Sequence, residues 1–215
     1  MSRELSRKGG SYEINICATC RRALDKLEGF LDAVEEVITS SGWKREEMMS
    51  HSRLKIAASG CPNACSQVQI KDLGIITYIK AELVGHCTAC GECERVCREG
   101  GVEVGEIAVF NENCIGCGDC VRACPENAIG GEVRFRVMAG GKLGRHPKLA
   151  QIVADVSDLD EALEVIKAGI KLSVMENRRF SEIEDGIKKL GELVVSKTDE
   201  LEQAQVNRAP RELST

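Results

Sequence analysis

Eight of the twelve cysteines in this 215-residue chain fall into two copies of one spacing. The first copy is Cys87, Cys90, Cys93 and Cys97; the second is Cys114, Cys117, Cys120 and Cys124, followed by Pro125. C-x2-C-x2-C-x3-C is the run that holds paired [4Fe–4S] cubes, and it dictates a local fold before any propensity is consulted. A cube offers its iron corners in a tetrahedral arrangement. The C-x2-C-x2-C stretch wraps three corners with a tight backbone, which Gly91, Gly116 and Gly118 permit. The fourth cysteine of each run reaches the other cube. The spacing therefore predicts one cluster on Cys87, Cys90, Cys93 and Cys124, and a second on Cys114, Cys117, Cys120 and Cys97. Zinc sites usually pair one C-x2-C with another, so two tandem four-cysteine runs point to iron and sulfur instead. The first run ends in Cys97-Arg98 rather than Cys-Pro, which leaves ligation untouched. Two such cubes imply electron transfer.

Composition narrows the rest. Hydrophobic residues make up 43% of the chain, enough for a core, and aromatics only 3%. A net charge of −5 argues against a nucleic-acid partner. No stretch approaches the roughly 20 apolar residues of a membrane span. Residues 1–10 carry Arg3, Arg7 and Lys8 but no apolar core, so they do not read as an export signal. Twelve cysteines without such a signal point to a reducing cytoplasm and metal ligation rather than disulfides.

The pattern of apolar residues divides the chain. Residues 1–11 form a polar N-terminal segment. Leu24, Leu27, Leu31, Val34 and Ile38 recur at helical spacing, with Glu28, Asp32 and Glu35 opposite and Gly42 as the stop. Residues 54–58 and 70–80 alternate like strands. Residues 86–131 read as a bacterial-type ferredoxin block bounded by Gly85 and Gly130-Gly131. Val133, Phe135 and Val137 then alternate with Arg134 and Arg136, which read as the wet face of a half-buried strand. Asp158 is placed to cap a helix carrying Leu159, Leu163, Ile166, Ile170 and Val174. Ser181 and Glu184 have the spacing of a capping box for a last helix with Ile183, Ile187, Leu190 and Val194. Residues 196–215 are a polar tail. The ferredoxin block thus reads as an insertion into an α+β domain made of residues 12–85 and 132–195.

The remaining cysteines form two pairs, Cys17 with Cys20 and Cys61 with Cys65, the latter inside Ser59-Gly-Cys-Pro-Asn-Ala-Cys65. Four thiols in two pairs suit a third metal site. Spacing alone leaves zinc and [4Fe–4S] both open.

Gly60-Cys-Pro-Asn-Ala-Cys65, preceded by a cysteine pair about forty residues upstream, resembles the sirohaem-dependent sulfite and nitrite reductases. The glycine-rich segment Ala139-Gly-Gly-Lys-Leu-Gly-Arg-His-Pro-Lys148 resembles a downstream loop of the same enzymes. A ferredoxin insertion between these motifs is a feature of their dissimilatory and anaerobic branches. The likeness spans roughly residues 12–195 and implies a sulfite/nitrite reductase-like sirohaem half-domain. It implies a third [4Fe–4S] cluster on Cys17, Cys20, Cys61 and Cys65, with the Cys65 sulfur bridging to the sirohaem iron. The family's upstream pair is usually C-x5-C where this chain has C-x2-C. Full-length members have two related halves, and this chain corresponds to the second.

Sirohaem carries many carboxylates, so basic side chains and backbone N–H groups should line its pocket. Candidates are Arg21, Arg22, Lys142, Arg145, His146 and Lys148, with Asn63 and the N–H groups of Gly140 and Gly141. His51 and His86 have no supporting context. The resemblance implies reduction of sulfite, nitrite or a related small anion, a redox partner protein, and assembly as a homo-oligomer or as part of a complex. The competing expectation is a non-catalytic electron-transfer subunit.

Overall fold

A computed structural model describes residues 6–43 and 48–194. The described residues form eight strands: β1 (Ser6–Lys8), β2 (Tyr12–Cys17), β3 (Leu54–Ser59), β4 (Leu73–Leu83), β5 (Val102–Val104), β6 (Ala108–Phe110), β7 (Ile129–Ala139) and β8 (Gln151–Val156). Its helices are α1 (Phe30–Ser40), α2 (Glu92–Val96), α3 (Asp119–Ala123) and α4 (Leu159–Met175), and residues 186–194 are also helical. Six strands make one mixed sheet in the order β1-β2-β3-β4-β7-β8. β2, β3 and β4 run parallel, and the outer pairings are antiparallel.

Side-chain alternation gives the sheet two different faces. Ile14, Ile16, Leu54, Ile56, Leu73, Ile75, Phe135 and Val137 point to one side, where Phe30, Val34 and Ile38 of α1 and Leu163, Ile166 and Ile170 of α4 cover them. Burial of a side chain such as Phe30 or Ile166 stabilises by about 1.5–3 kcal/mol, and this face holds the main core. The other face carries Asn15, Cys17, Ala57, Ser59, Ile76, Arg136 and Met138. There the connection from β3 to β4 folds back, so that Ala64 and Val68 pack on Ala57, Ile76 and Met138. Among the described residues no helix is long and apolar enough to cross a membrane.

Several sequence expectations need adjustment. The helical repeat starting at Leu24 does not become helix until Phe30, because Leu27 and Gly29 take left-handed backbone conformations (φ 50° and 76°). Strand signals at 54–58 and 70–80 correspond to Leu54–Ser59 and Leu73–Leu83. The N-terminal segment contributes an edge strand, β1. Asp158 caps α4 as its position predicts, accepting from the Asp160 N–H. Ser181 does not cap the last helix: it lies in a 3₁₀ turn (Phe180–Glu182), and its N–H donates to Asp72 Oδ1 at 3.1 Å. The tail expected at 196–215 lies outside the described residues.

β4 and β7 pair along their whole length, from Leu73–Ala139 to Leu83–Ile129. Residues 84–128 are therefore the tip of one long hairpin. Their small core of Cys93, Val102, Ala108, Cys120 and Ile129 is separate from the main one.

Candidate iron–sulfur centres

Within the hairpin tip the chain repeats itself. Gly91 and Gly118, both left-handed, precede the five-residue helices α2 and α3, and Cys97 and Cys124 terminate them with matching extended conformations. Each helix supplies its run's third cysteine, buried Cys93 or Cys120. The fourth cysteine of each run receives a backbone N–H on sulfur, from Gly101 to Cys97 at 3.2 Å and from Ala128 to Cys124 at 3.3 Å.

The repeat creates two cavities. One is lined by Cys87, Cys90, Cys93 and Cys124, together with Val104 and Ile129. The other is lined by Cys97, Cys114, Cys117 and Cys120, together with Val102 and Phe110. Each cavity thus takes three cysteines from one run and the fourth from the other. Burial raises the thiol pKa of Cys93 and Cys117 and pushes that of Cys120 up to about 11. A thiol must release its proton to solvent before it can ligate a metal, so these raised values make loading of the cavities pH-dependent.

The third set forms where β2 and β3 end. Cys17 and Ser59 are register partners on the last rung of that parallel pair. The loops that follow are tied together by Gly60 N–H donating to the Cys17 carbonyl at 2.8 Å and Leu24 N–H donating to the Gly60 carbonyl at 2.6 Å. Only glycine fits at position 60, because an added Cβ would stand 2.3 Å from the Asp25 carbonyl oxygen. Burial raises the Cys17 thiol, and Cys65, Cys20 and Cys61 add to the rise, so all four thiols share one neighbourhood. Cys61 is buried, whereas Cys20 and Cys65 are exposed. Asn63 Nδ2 lies 2.9 Å from Cys65 Sγ.

Among the described residues no three His, Cys, Asp or Glu side chains close in on one point as a single metal ion requires. The thiols instead spread around cavities. That spread, with amide donors on two sulfurs, suits a multi-iron group better than a mononuclear zinc ion, whose thiolates lie about 2.3 Å from the metal.

The other expected site residues divide by place. Arg21 is exposed beside Cys20, and Arg22 Nη1 donates to Asp119 Oδ2 at 2.7 Å. The segment at 140–148 packs on the connection that carries Cys61 and Cys65: Met138, just before it, packs with Ala64, and Gly141 packs on the Gln69 carbonyl. It leaves β7 at Ala139, level with Leu73. Gly141 also packs on the Lys71 carbonyl, Lys142 and Lys148 bridge each other through their backbones, and Arg145 and His146 are exposed. His86 is exposed, and His51 offers its carbonyl to Arg179.

The sequence reads Arg136 only as a wet strand residue. In the fold it shares a cross-strand row with Ile76, Ser59 and Cys17, and its guanidinium lies 3.8 Å over the Tyr78 ring. The Tyr78 hydroxyl donates to Asp155 at 2.7 Å. Strand alternation signals Arg136 as solvent-facing, but only the register between strands places it level with the cysteines.

Cysteines gathered at a sheet end and in a duplicated hairpin tip suit an iron–sulfur protein. Residues 13–193 match the nitrite and sulphite reductase 4Fe-4S domain family, and the chain belongs to it. It is 39% identical over 64 residues to the coenzyme F420-dependent sulfite reductase of Methanocaldococcus jannaschii, a match covering 28% of this chain and 10% of that one. An uncharacterised protein of the same organism is 37% identical over 121 residues, covering 56% of this chain and 43% of that one. An anaerobic sulfite reductase subunit of Salmonella typhimurium is 31% identical over 84 residues, covering 39% of this chain and 22% of that one. The crystal structure of dissimilatory sulfite reductase I superposes with a TM-score of 0.57 at 16% identity, covering 91% of this chain and 54% of that chain. The chain therefore spans less than half the length of these three sequence relatives and about half of the structural one.

Proposed function

We propose that the chain is a three-cluster iron–sulfur protein that also holds sirohaem and takes part in reducing sulfite, nitrite or a related small anion. The observation that carries this reading is the gathering of Cys17, Cys20, Cys61 and Cys65 at the ends of β2 and β3, with Cys65 exposed. In the proposal those four thiolates hold one [4Fe–4S] cluster, and the two hairpin-tip cavities hold one each, as a ferredoxin-type insertion in a domain made of 12–85 and 132–195. When bound, the clusters supply single electrons and sirohaem supplies an open iron coordination position for the anion.

The chain's own residues then have separate tasks. Cys65 offers its sulfur at the surface, toward the side where a second ligand of the centre can approach. Asn63 donates to that sulfur and orients it. Arg21 and Arg22 supply positive charge next to the same loop, suited to carboxylates. The segment with Gly140, Gly141, Lys142, Arg145, His146 and Lys148 packs at Gly141 on Gln69, in the connection that carries Cys61 and Cys65, and in this reading adds backbone N–H groups and positive charge.

The second reading is an electron-transfer subunit with no turnover of its own. It is favoured by the two hairpin-tip cavities, which gather eight of the twelve cysteines. In either case the redox partner is another protein, or a second copy of this one.

The test is an anaerobic spectrum of the purified protein with iron, sulfide and pigment analysis. Extractable sirohaem and about twelve non-haem irons per chain, as three cubes require, is the expected result, and sulfite turnover is assayed next. A brown iron–sulfur protein without sirohaem turns the conclusion to the electron-transfer subunit. Cys65→Ser should remove the sirohaem signature while the hairpin-tip clusters persist on their own eight thiolates; equal loss of every cluster signal would refute the division into separate sites.

A further inference from the structure

The hairpin tip meets the sheet end beside the third set of thiols, and the contact carries charge. Arg22 lies in the loop after β2, close to Cys20. Its Nη1 donates to Asp119 Oδ2 at 2.7 Å. Asp119 opens α3 and directly precedes Cys120. Its other oxygen accepts from Arg122 Nη2 at 2.6 Å, and the same Nη2 donates to the Cys117 carbonyl at 3.0 Å. Next to the ion pair, a Cβ added at Gly118 would stand 3.0 Å from Leu24 Cδ2, so the loop and the tip touch. Ile79 meets the same stretch: its side chain also approaches Gly118, and its N–H donates to the Gly116 carbonyl at 2.9 Å. Arg22 thus ties the loop that carries Cys20 to the helix that carries Cys120.

These contacts also order the two tip cavities. The Arg22 loop, Leu24 and Ile79 all meet residues 116–119, which line the cavity of Cys97, Cys114, Cys117 and Cys120. The cavity of Cys87, Cys90, Cys93 and Cys124 is lined by other residues.

We propose that Arg22 is a positioning residue shared by two iron–sulfur centres. Through Asp119 it fixes the Cys97/Cys114/Cys117/Cys120 centre against the Cys17/Cys20/Cys61/Cys65 centre, and its positive charge favours the reduced state of both. This rests on reading those cysteine sets as clusters. Reduction adds one electron to a centre, so a nearby cation raises its potential and a nearby anion lowers it. The Cys97-containing centre is then the immediate donor to the third set, and the Cys87-containing centre is the outer one.

The experiment compares reduction potentials of all three centres in the reconstituted full chain, by anaerobic titration followed by electron paramagnetic resonance. Arg22→Gln should shift the Cys17-set centre and the Cys97-containing centre to lower potential and leave the outer centre in place. Asp119→Asn should shift the Cys97-containing centre to higher potential. Arg22→Lys, which keeps the charge, should stay near wild type. Loss of a merely structural contact would move both disruptive variants the same way, and that result overturns the inference. So do unmoved potentials in Arg22→Gln. Should Arg22→Gln fail to assemble its clusters, the Asp119→Asn and Arg22→Lys pair decides by the same signs. A wild-type chain with no third centre sinks the cluster reading itself, whereas three centres with the wrong signs sink only this inference.

Discussion

Asp72 is fully buried and makes the densest set of polar contacts in the described structure. Oδ2 accepts from Arg179 Nη2 at 2.8 Å, from Arg179 Nε at 3.0 Å and from the Lys55 N–H at 2.8 Å, and Oδ1 accepts from the Ser181 N–H. It joins the start of β4 to β3 and to the turn before the last helix. Removing one partner of a buried ion pair leaves the other charge desolvated and costs about 3–5 kcal/mol. Asp72→Asn should therefore lower the unfolding free energy obtained from denaturant titration by an amount of that order, while Arg134→Gln on the half-exposed sheet face should change it far less. Ser181 provides a second residue-level test. Its hydroxyl is buried and has no hydrogen-bond partner among the described residues. An N-cap serine replaced by alanine loses about 1 kcal/mol, but Ser181→Ala should be neutral or mildly stabilising in thermal melts, because an unpaired buried hydroxyl is lost. Neither feature is legible in the sequence. Asp72 reads there as one polar position in a strand, and its partner comes from the far end of the chain. Ser181 and Glu184 have the right spacing for a capping box, but the backbone N–H of Ser181 is taken by Asp72.

At the level of elements, amphipathic spacing locates α1, α4 and the strands, and it fails where the cysteine loops compete with it. Leu24 and Leu27 continue the helical repeat backward from Leu31, yet the chain there must hold Leu24 N–H on the Gly60 carbonyl and Leu27 N–H on Asp25. Periodicity records what a helix would bury and is blind to a loop drawn out of helix by a neighbouring strand end. The α1–β2 contact gives a pH test. The Tyr12 hydroxyl donates to Glu35, which also pairs with Arg7 at 2.8 Å. Burial and then the Glu35 carboxylate push the Tyr12 pKa up from 10.0 to about 12. A group whose pKa is raised by folding contributes stability that is complete below its unfolded value and disappears as pH climbs through its folded one. Wild-type stability should thus fall between about pH 10 and pH 12. Tyr12→Phe should be less stable at neutral pH and lack this part of the fall, as urea denaturation across that window would report.

Across the whole molecule, the eight-cysteine repeat is the most legible feature, since its spacing alone groups three cysteines of one run with the fourth of the other, the grouping that lines each cavity. What the spacing cannot supply is where the tip stands relative to the sheet, because that depends on the long β4–β7 pairing and on Arg22 meeting Asp119. The two facts together yield a test of the entire arrangement. Cys97 belongs to the first run but lines the cavity next to the third thiol set, and Cys124 belongs to the second run but lines the outer one. Serine at either position leaves three thiolates and a weaker oxygen ligand. If clusters followed sequence runs, Cys97→Ser would disturb the centre containing Cys87. With the exchanged ligands it should disturb the centre containing Cys114 and, through the shared seam, weaken its magnetic coupling to the third centre. Cys124→Ser should disturb only the outer centre and leave that coupling as in wild type. Electron paramagnetic resonance on the two reduced variants distinguishes these outcomes, and a Cys124→Ser variant that lost the coupling would place the sheet end against the wrong half of the repeat.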